Sequence, residues 1–550
     1  MLSQYLKRRI LIILATGIII FSQGCSKSLD EVPLSNLSNT AVLKDSIGFE
    51  NYITALHQGA RDEFTNTDGI NHNFNMQFGT DIATTGSPTI APFRNYETYL
   101  TSTQLVVGFY WNWAYGTMLL RANTIIAYAG KPEAAAYWKS DAQRNAIIAE
   151  ARFFRGYTFN LLANLYGGVP LVDTIYSSPK ADFTRASRKE TYEQAVRDLE
   201  FASQWLPATV PKAREGRIVK AAADHLLAEV YISLEMYDKS VEAATRVINS
   251  GLYNLMTIRF GSEKSKPGDV FSDLFRNGNQ NRSSGNLESI YVLQIEDQTP
   301  GGQGGTGGNN NLRGWAPFYS SGNFRAPDGK AGFILADSMG RGVGWVRPNN
   351  YFFYDIWKDN WENDMRNSTY NIRRTFVYNN PGSTFFGKIV EKRTLADDTM
   401  FYMFPTIRKV EGNLPKSGDN STGRTFTDMM VYRLAETYLL RAEAYFRKGE
   451  PGPAADDINA VRARAGAKLI GSGDVTIDYI LDERARELTV EEPRRRTLCR
   501  MGNLVERVRI YNIRPDTRSS IKDKHLFFPI PQSAIDANYG AELKQNPDYN

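Results

Sequence analysis

VYRLAETYLLRAEAYFRKGEPGPAADDINAVRARAG, residues 431–466, decides how this chain is read. Val431, Leu434, Tyr438, Ala442 and Tyr445 recur at steps of three and four, which places an apolar stripe on one face of a helix. Gly449, Pro451 and Pro453 stop that helix, and a second follows through Ala454, Ile458 and Val461. A hairpin of this kind leaves apolar faces that further helices must cover. Tyr438, Ala442, Tyr445, Ala454, Ile458 and Val461 also fall on the positions where a tetratricopeptide repeat wants an aromatic, a small residue, an aromatic, an alanine and two packing residues. Ala228, Tyr231, Ser240, Ala244 and Val247 repeat the pattern across residues 221–250, so the unit occurs more than once.

Outward from these two copies the chain offers two more candidate pairs. Ile147, Ala151, Phe154, Thr158, Leu161 and Leu165 form a seam along residues 142–166, and Tyr192, Ala195, Leu199 and Ala202 another along 189–205, with a loop of about twenty residues where a standard repeat turns tightly. Asp45 to Arg61 and Phe109 to Tyr128 read as a further pair. Helix pairs are therefore expected near 45–128, 142–205, 219–250 and 431–466. Between them, residues 66–102 and 255–429 lose helical period and are rich in Gly, Asn, Ser, Pro and aromatics; long unpatterned segments of this kind are commonly functional. The glycine run from Gly301 to Gly308 lacks the GxxxxGK[ST] pattern and the strand-to-helix setting of a phosphate loop.

With 550 residues, 42% hydrophobic and 23% charged, the chain can bury a large core. Its N-terminus reads as an export signal. Lys7, Arg8 and Arg9 precede an apolar stretch, Ile10 to Phe21, too short to span a bilayer, and Ser22-Gln23-Gly24-Cys25 closes it. A small residue before cysteine resembles a bacterial lipobox, which makes residues 1–24 the leader, Cys25 the acylated N-terminus and residues 25–39 a polar tether; Ser22 and Gln23 depart from the usual pattern. The formal charge of +5, less those three leader cations, is +2, and nucleic-acid binding loses its compositional support. With Cys499 as the remaining cysteine, no internal disulfide is expected.

Several segments taken in order resemble the SusD-like (RagB/SusD) family. They are Glu150-Ala151-Arg152-Phe153-Phe154-Arg155-Gly156-Tyr157 running to Tyr166-Gly167-Gly168-Val169-Pro170, Gly216-Arg217 with Lys220-Ala221-Ala222, Asn286-Leu287-Glu288-Ser289-Ile290, residues 433–444, Glu483-Arg484 with Glu487-Leu488, Pro529-Ile530-Pro531 and Gln545-Asn546-Pro547. The resemblance implies a mostly α fold: four tetratricopeptide-like pairs in a right-handed superhelical stack, with a large loop-rich part laid against it, so that residues 40–550 form one body. It also implies an outer-membrane lipoprotein, non-catalytic, that captures oligosaccharides, or in some members peptides, for a SusC-type TonB-dependent transporter. Lys27, Asp30 and Glu31 loosely resemble the signal that sends some lipoproteins to the outer surface.

The residues themselves show no catalytic motif. His57, His72, His225 and His525 are scattered, no HExxH or GxSxG occurs, and neither a metal nor a cofactor is expected. Asp359, Glu362 and Asp364 lie close in sequence and are read as surface charges paired with Arg366 or Lys358; a secreted glycoside hydrolase with an unrecognised acid pair remains the alternative. Arg152, Arg155, Arg433, Arg441, Glu436, Glu443, Glu483, Arg484, Glu487 and Arg494 are read as ion pairs fixing helix register. Sugar binding needs flat apolar rings together with amides and charges. That mixture sits in the loops, so Asp81, Asn95, Tyr96, Trp315, Tyr319 and Trp345 are the ligand candidates, with Arg94, Tyr99, Arg313 and Phe318 beside them.

Overall fold

The computed structural model describes residues 39–65, 72–89, 91–299, 301–302, 308–319, 324–391, 398–413 and 423–549. The leader, Cys25, the tether, His72's side chain and most of the glycine run lie outside the described residues. The first helix pair is α1, Ser46–Thr65, against a rod formed by α2, Leu105–Trp113, a wider π-helical segment, Ala114–Leu119, and α3, Leu120–Ala129. The second pairs α4, Asp141–Leu165, with α5, Arg188–Trp205; the third, α6, Lys220–Ser233, with α7, Tyr237–Ile248; the fourth, α8, Leu434–Arg447, with α9, Pro451–Arg464. Each pair packs on the next, through α3 on α4, α5 on α6 and α7 on α8. The expected mostly helical stack of four pairs is present.

Small residues set its spacing. Ala228, Ala244, Ala442 and Ala454 are all fully buried where paired helices meet. Ser240, at the start of α7, donates its hydroxyl to the Ala228 carbonyl at 2.8 Å. A Cβ on Gly156 would lie 2.8 Å from Leu199 Cγ and 3.1 Å from the Ala195 carbonyl, so α4 meets α5 almost backbone to backbone. A capping box, Ser187 with Glu190, satisfies the first turn of α5 and restarts the chain after the long loop.

The Arg and Glu residues read as structural are so. Arg155 grips Asp198 with two bonds of 2.7 and 2.6 Å between α4 and α5, and Arg441 grips Asp457 at 2.8 and 2.7 Å between α8 and α9. Helices α10, Ile477–Leu488, α11, Arg494–Met501, and α12, Leu504–Tyr511, close the end of the stack. From α10, Glu487 accepts from Arg366, Arg433 and Arg464, and Glu483 from Arg366, Arg462 and Arg486, all buried. This network sews the helical half to the loop half.

The loop half contains three two-stranded antiparallel ladders: β1, Ala83–Thr85, with β3, Val346–Pro348; β2, Ser289–Leu293, with β6, Met429–Arg433; and β4, Ile372–Arg373, with β5, Thr406–Ile407. Two expectations are corrected here. The helix expected from Val431 begins at Leu434, because Val431 belongs to a strand that pairs with β2. Asp364 is not a surface charge: it is buried and accepts from Arg366 at 2.8 and 2.7 Å. Among the described residues no helix is long and apolar enough to cross a membrane, and Cys499 is a buried free thiol.

Candidate functional site

Four of the six ligand candidates are interior residues. Asp81 is buried between Arg494, at 2.9 and 2.6 Å, and Arg507, at 2.7 Å. Burial would raise its carboxyl, but the two guanidiniums outweigh that and lower it to about 2. Tyr96 is buried against Phe93 and His525 and donates its hydroxyl to the Gly79 carbonyl at 2.8 Å. Trp315 ends a short helix, Asn311–Trp315, and lines a small internal cavity with Phe74, Met76 and Tyr110. Tyr319 packs on Phe333, ring centres 5.1 Å apart. The expectation for these four is corrected: loop aromatics and a loop carboxylate pin the loops to the core, and none faces solvent. Asn95 is half-buried and caps the turn Tyr96–Tyr99, its side chain accepting from the Thr98 amide at 3.1 Å. Trp345 stays half-exposed.

Around Trp345 the loops build a partly open aromatic surface. The Arg313 guanidinium lies 5.0 Å over the indole, and Phe74 meets it edge-on at 6.0 Å. Nearby, Phe318 and Tyr402 are parallel within 16° at 6.2 Å, and Phe401 touches both. A second surface is more open. Tyr354 and Trp361 are 41% and 39% exposed, parallel within 9°, with ring centres 6.3 Å apart. Arg374 lies 4.6 Å from the Trp361 ring and 5.9 Å from Tyr354, and is held in place by donating to the Phe353 carbonyl and the Asn367 side chain, each at 2.6 Å.

The segment after β1 is tied to the Trp345 loop. Gly86 donates to the Trp345 carbonyl at 2.9 Å. A Cβ on Gly86 would fall 2.5 Å from the Gly344 carbonyl and 2.8 Å from that of Met400, so a side chain there would push the loops apart. Arg94 wraps the same segment, donating to the Thr85 hydroxyl at 2.9 Å and to the carbonyls of Ser87 and Pro88. Arg514 donates to the Thr85 carbonyl at 2.7 Å. Arg347 donates to the Pro348 carbonyl and to Asn350 Oδ1.

Flat rings set at fixed angles, with guanidinium N–H groups beside them, suit a ligand having both C–H faces and hydroxyls. The sequence reading reached Trp345, Arg313, Arg94 and Phe318 but missed Tyr354, Trp361 and Arg374. Its own criterion, an aromatic outside any periodic element, admitted Tyr354 and Trp361; what set them apart from Trp315 and Tyr319 was exposure. Two other concavities exist among the described residues. One is an apolar groove of about 720 Å³ lined by Trp111, Tyr115, Pro170, Phe183, Ala534 and Leu543. The other is a polar cleft of about 390 Å³ that includes Lys266, Arg276, Tyr370 and Arg408. No group of three or more His, Cys, Asp or Glu side chains among the described residues is placed to hold a metal.

The SusD family model matches residues 391–549, and a second family model, described as starch-binding associating with outer membrane, matches residues 27–232. The chain belongs to the SusD-like family. It is 37% identical over 125 residues to the starch-binding protein SusD of Bacteroides thetaiotaomicron and 31% identical over 147 residues to SusD-like protein P2 of Formosa agariphila. Those matches span 22% and 28% of the relatives' lengths, respectively, and 22% and 26% of this chain. SusD-like protein P25 of Formosa agariphila is 24% identical over 71% of each chain. Among solved structures, surface glycan-binding protein A of Bacteroides thetaiotaomicron in complex with laminarihexaose superposes with a TM-score of 0.68 at 20% identity, over 91% of this chain and 99% of that one. At that identity the likeness is one of fold, and it supports the SusD-like reading of the helix stack.

Proposed function

We propose that this SusD-like chain is a non-catalytic, lipid-anchored protein of the outer membrane, facing outward, that captures an oligosaccharide on its loop half and delivers it to a SusC-type TonB-dependent transporter. Acylated Cys25 is its anchor. The observation that carries the reading is the open pair Tyr354 and Trp361 with Arg374 fixed beside them. Exposed rings grouped beside a fixed cation form the kind of patch that marks a ligand-binding surface. A pyranose has an apolar C–H face of matching size and hydroxyls for the neighbouring donors. The names of similar proteins support a glycan: one is starch-binding, and another is a surface glycan-binding protein seen with laminarihexaose. Support for delivery to a transporter comes from the family resemblance alone.

The test is calorimetric titration of the mature chain against oligosaccharides and peptides, followed by product analysis of any mixture that shows binding. An oligosaccharide is expected to bind and to be recovered intact. Trp361→Ala is expected to weaken it by about tenfold, roughly 1.4 kcal/mol, and the Tyr354→Ala/Trp361→Ala double variant by more, with the unfolding temperature unchanged because both side chains are outside the core. Peptide binding without glycan binding, or cleavage of the bound sugar, contradicts the reading.

A further inference from the structure

One group of cations on the loop face is balanced differently from most others in the protein. Arg155, Arg464, Arg484 and Arg494 in the stack and its closing helices, and Arg366, Arg373, Arg408 and Arg433 in the loop half, each hold at least one carboxylate. On the loop face, Arg94, Arg347, Arg374 and Arg514 are held instead by neutral oxygens: main-chain carbonyls, the Thr85 hydroxyl and the side-chain amides of Asn350 and Asn367. Neutral acceptors fix a guanidinium's position and leave its charge uncancelled.

Three of these charges stand together, and Tyr354 acts on both Arg347 and Arg374. Arg347 feels Arg514, and Arg514 feels Arg94, so each lowers the pKa of the next. Burial and this repulsion take Arg347 down to about 10, and burial takes Arg374 to about 10. Among the described residues, the carboxylate that acts on them is the exposed Asp516, near Arg94 and Arg514. Asp355, beside Tyr354 in the chain, is matched by Lys358 at 2.8 Å, and Asp359 and Glu362 perturb none of the four. Carboxylate-free arginines occur elsewhere, Arg185 among them, but Arg185 has no neighbouring cation acting on it. Like charges gathered beside low-dielectric aromatic walls focus a positive potential over the surface between them. The chain as a whole is near neutral once its leader is set aside, so this potential is local.

We propose that the glycan captured on this face is anionic, carrying carboxylate or sulfate groups along a chain whose ring faces lie on Tyr354 and Trp361. The proposal rests on the glycan-binding reading above. An anionic sugar supplies to Arg94, Arg374 and Arg514 the counter-charge that the fold withholds, while buried Arg347 contributes its field without touching the ligand. Bonds to neutral oxygens use part of each fork, and the N–H groups left over are those a carboxylate or sulfate would take.

The test is titration of the full mature chain with four hexasaccharides: a galacturonate oligomer for carboxylate, a carrageenan fragment for sulfate, and laminarihexaose and maltohexaose as neutral probes. At about 50 mM NaCl an anionic probe is expected to bind at least tenfold tighter than either neutral one, and to weaken by about tenfold at about 300 mM, where screening shortens the reach of these charges. Preference for one anionic probe names the group. Arg374→Gln is expected to lessen that salt dependence and Arg374→Lys to keep it. The salt series on the unaltered chain decides the matter even where a variant misfolds. Neutral hexasaccharides binding as tightly as the anionic ones, with no salt dependence, overturn this proposal and leave the glycan reading standing. No binding of any of the four, with a peptide bound instead, overturns both.

Discussion

Glu487→Ala is expected to destabilise the protein by about 3–5 kcal/mol, the range found when one partner of a buried ion pair is removed. Glu487 is fully buried and accepts from Arg366 at 2.9 Å and from Arg433 and Arg464, while Lys409 donates to its main-chain carbonyl. Burial opposes ionisation, but Arg464, Arg433, Arg366 and Lys409 together hold its carboxyl well below the usual range. Without it, three buried guanidiniums share Asp364, Glu288, Glu483 and Glu491, and the side-chain bonds by which Glu487 ties α10 to β6 and the loop half are lost. Equilibrium urea unfolding measures the change. As a control, Asp355→Ala removes an exposed partner of Lys358 and is expected to change stability by less than about 0.5 kcal/mol. A Glu487→Ala midpoint equal to that of the parent would mean that the network is not what joins the two halves.

The second large effect is acid unfolding. Asp81, Glu150, Glu436, Glu443 and Glu483 are all buried, which by itself would raise them, yet cations bring each down to about 2: Arg494 and Arg507 for Asp81, His57 and Arg217 for Glu150, Arg484 and His225 for Glu436, Arg500 and Arg447 for Glu443, and Arg366, Arg486 and Arg462 for Glu483. Their folded pKa values lie below the unfolded ones, so the unfolded chain binds more protons as pH drops below about 4.5. The stability these groups contribute is complete above that point and is lost as pH falls toward 2, at about 1.4 kcal/mol per proton per pH unit. Asp428 runs the other way: burial raises it to about 6, so it favours the folded state slightly more at pH 5 than at pH 7. His525 opposes it: burial takes it down to about 3, so protonation of the unfolded chain costs stability below about pH 6.5. Stability followed by circular dichroism is therefore expected to change little from pH 7 to 5 and to collapse between about 4.5 and 2. A protein still folded at pH 2, or one that unfolds between pH 7 and 5, contradicts this electrostatic description.

The helix stack was legible because its signals are local. Alanine at 228, 244, 442 and 454 sits where two helices must touch, and aromatic residues three or four positions away mark the same face, so spacing carries the geometry. The structural ion pairs were legible for a related reason: a charge on a helix flank has few places to go other than the neighbouring helix. Val431 escaped because a five-residue strand and the first turn of a helix place apolar residues at overlapping steps, and its strand partner Ser289–Leu293 lies far away in sequence. The site was half legible. Loop aromatics are either anchors or platforms, and the choice depends on what long-range packing brings over them. Phe333 covers Tyr319 and Phe74 lies against Trp345, whereas Tyr354 and Trp361, set against each other, Phe353 and Arg374, stay over a third exposed. Asp81 shows the same limit for a charge, since Arg494 and Arg507, both more than four hundred residues away, decide that it is structural.

Hydroxyl-radical footprinting with and without a saturating oligosaccharide tests most directly where this SusD-like protein holds its ligand. Protection of Tyr354 and Trp361, extending to the side chains around Trp345, with Trp111 and Tyr115 unchanged, is the expected result. Protection confined to the Trp111 and Tyr115 groove, with Tyr354 and Trp361 as reactive as in the free protein, would place the sugar on the helix stack and contradict the assignment of the loop half as the capturing face.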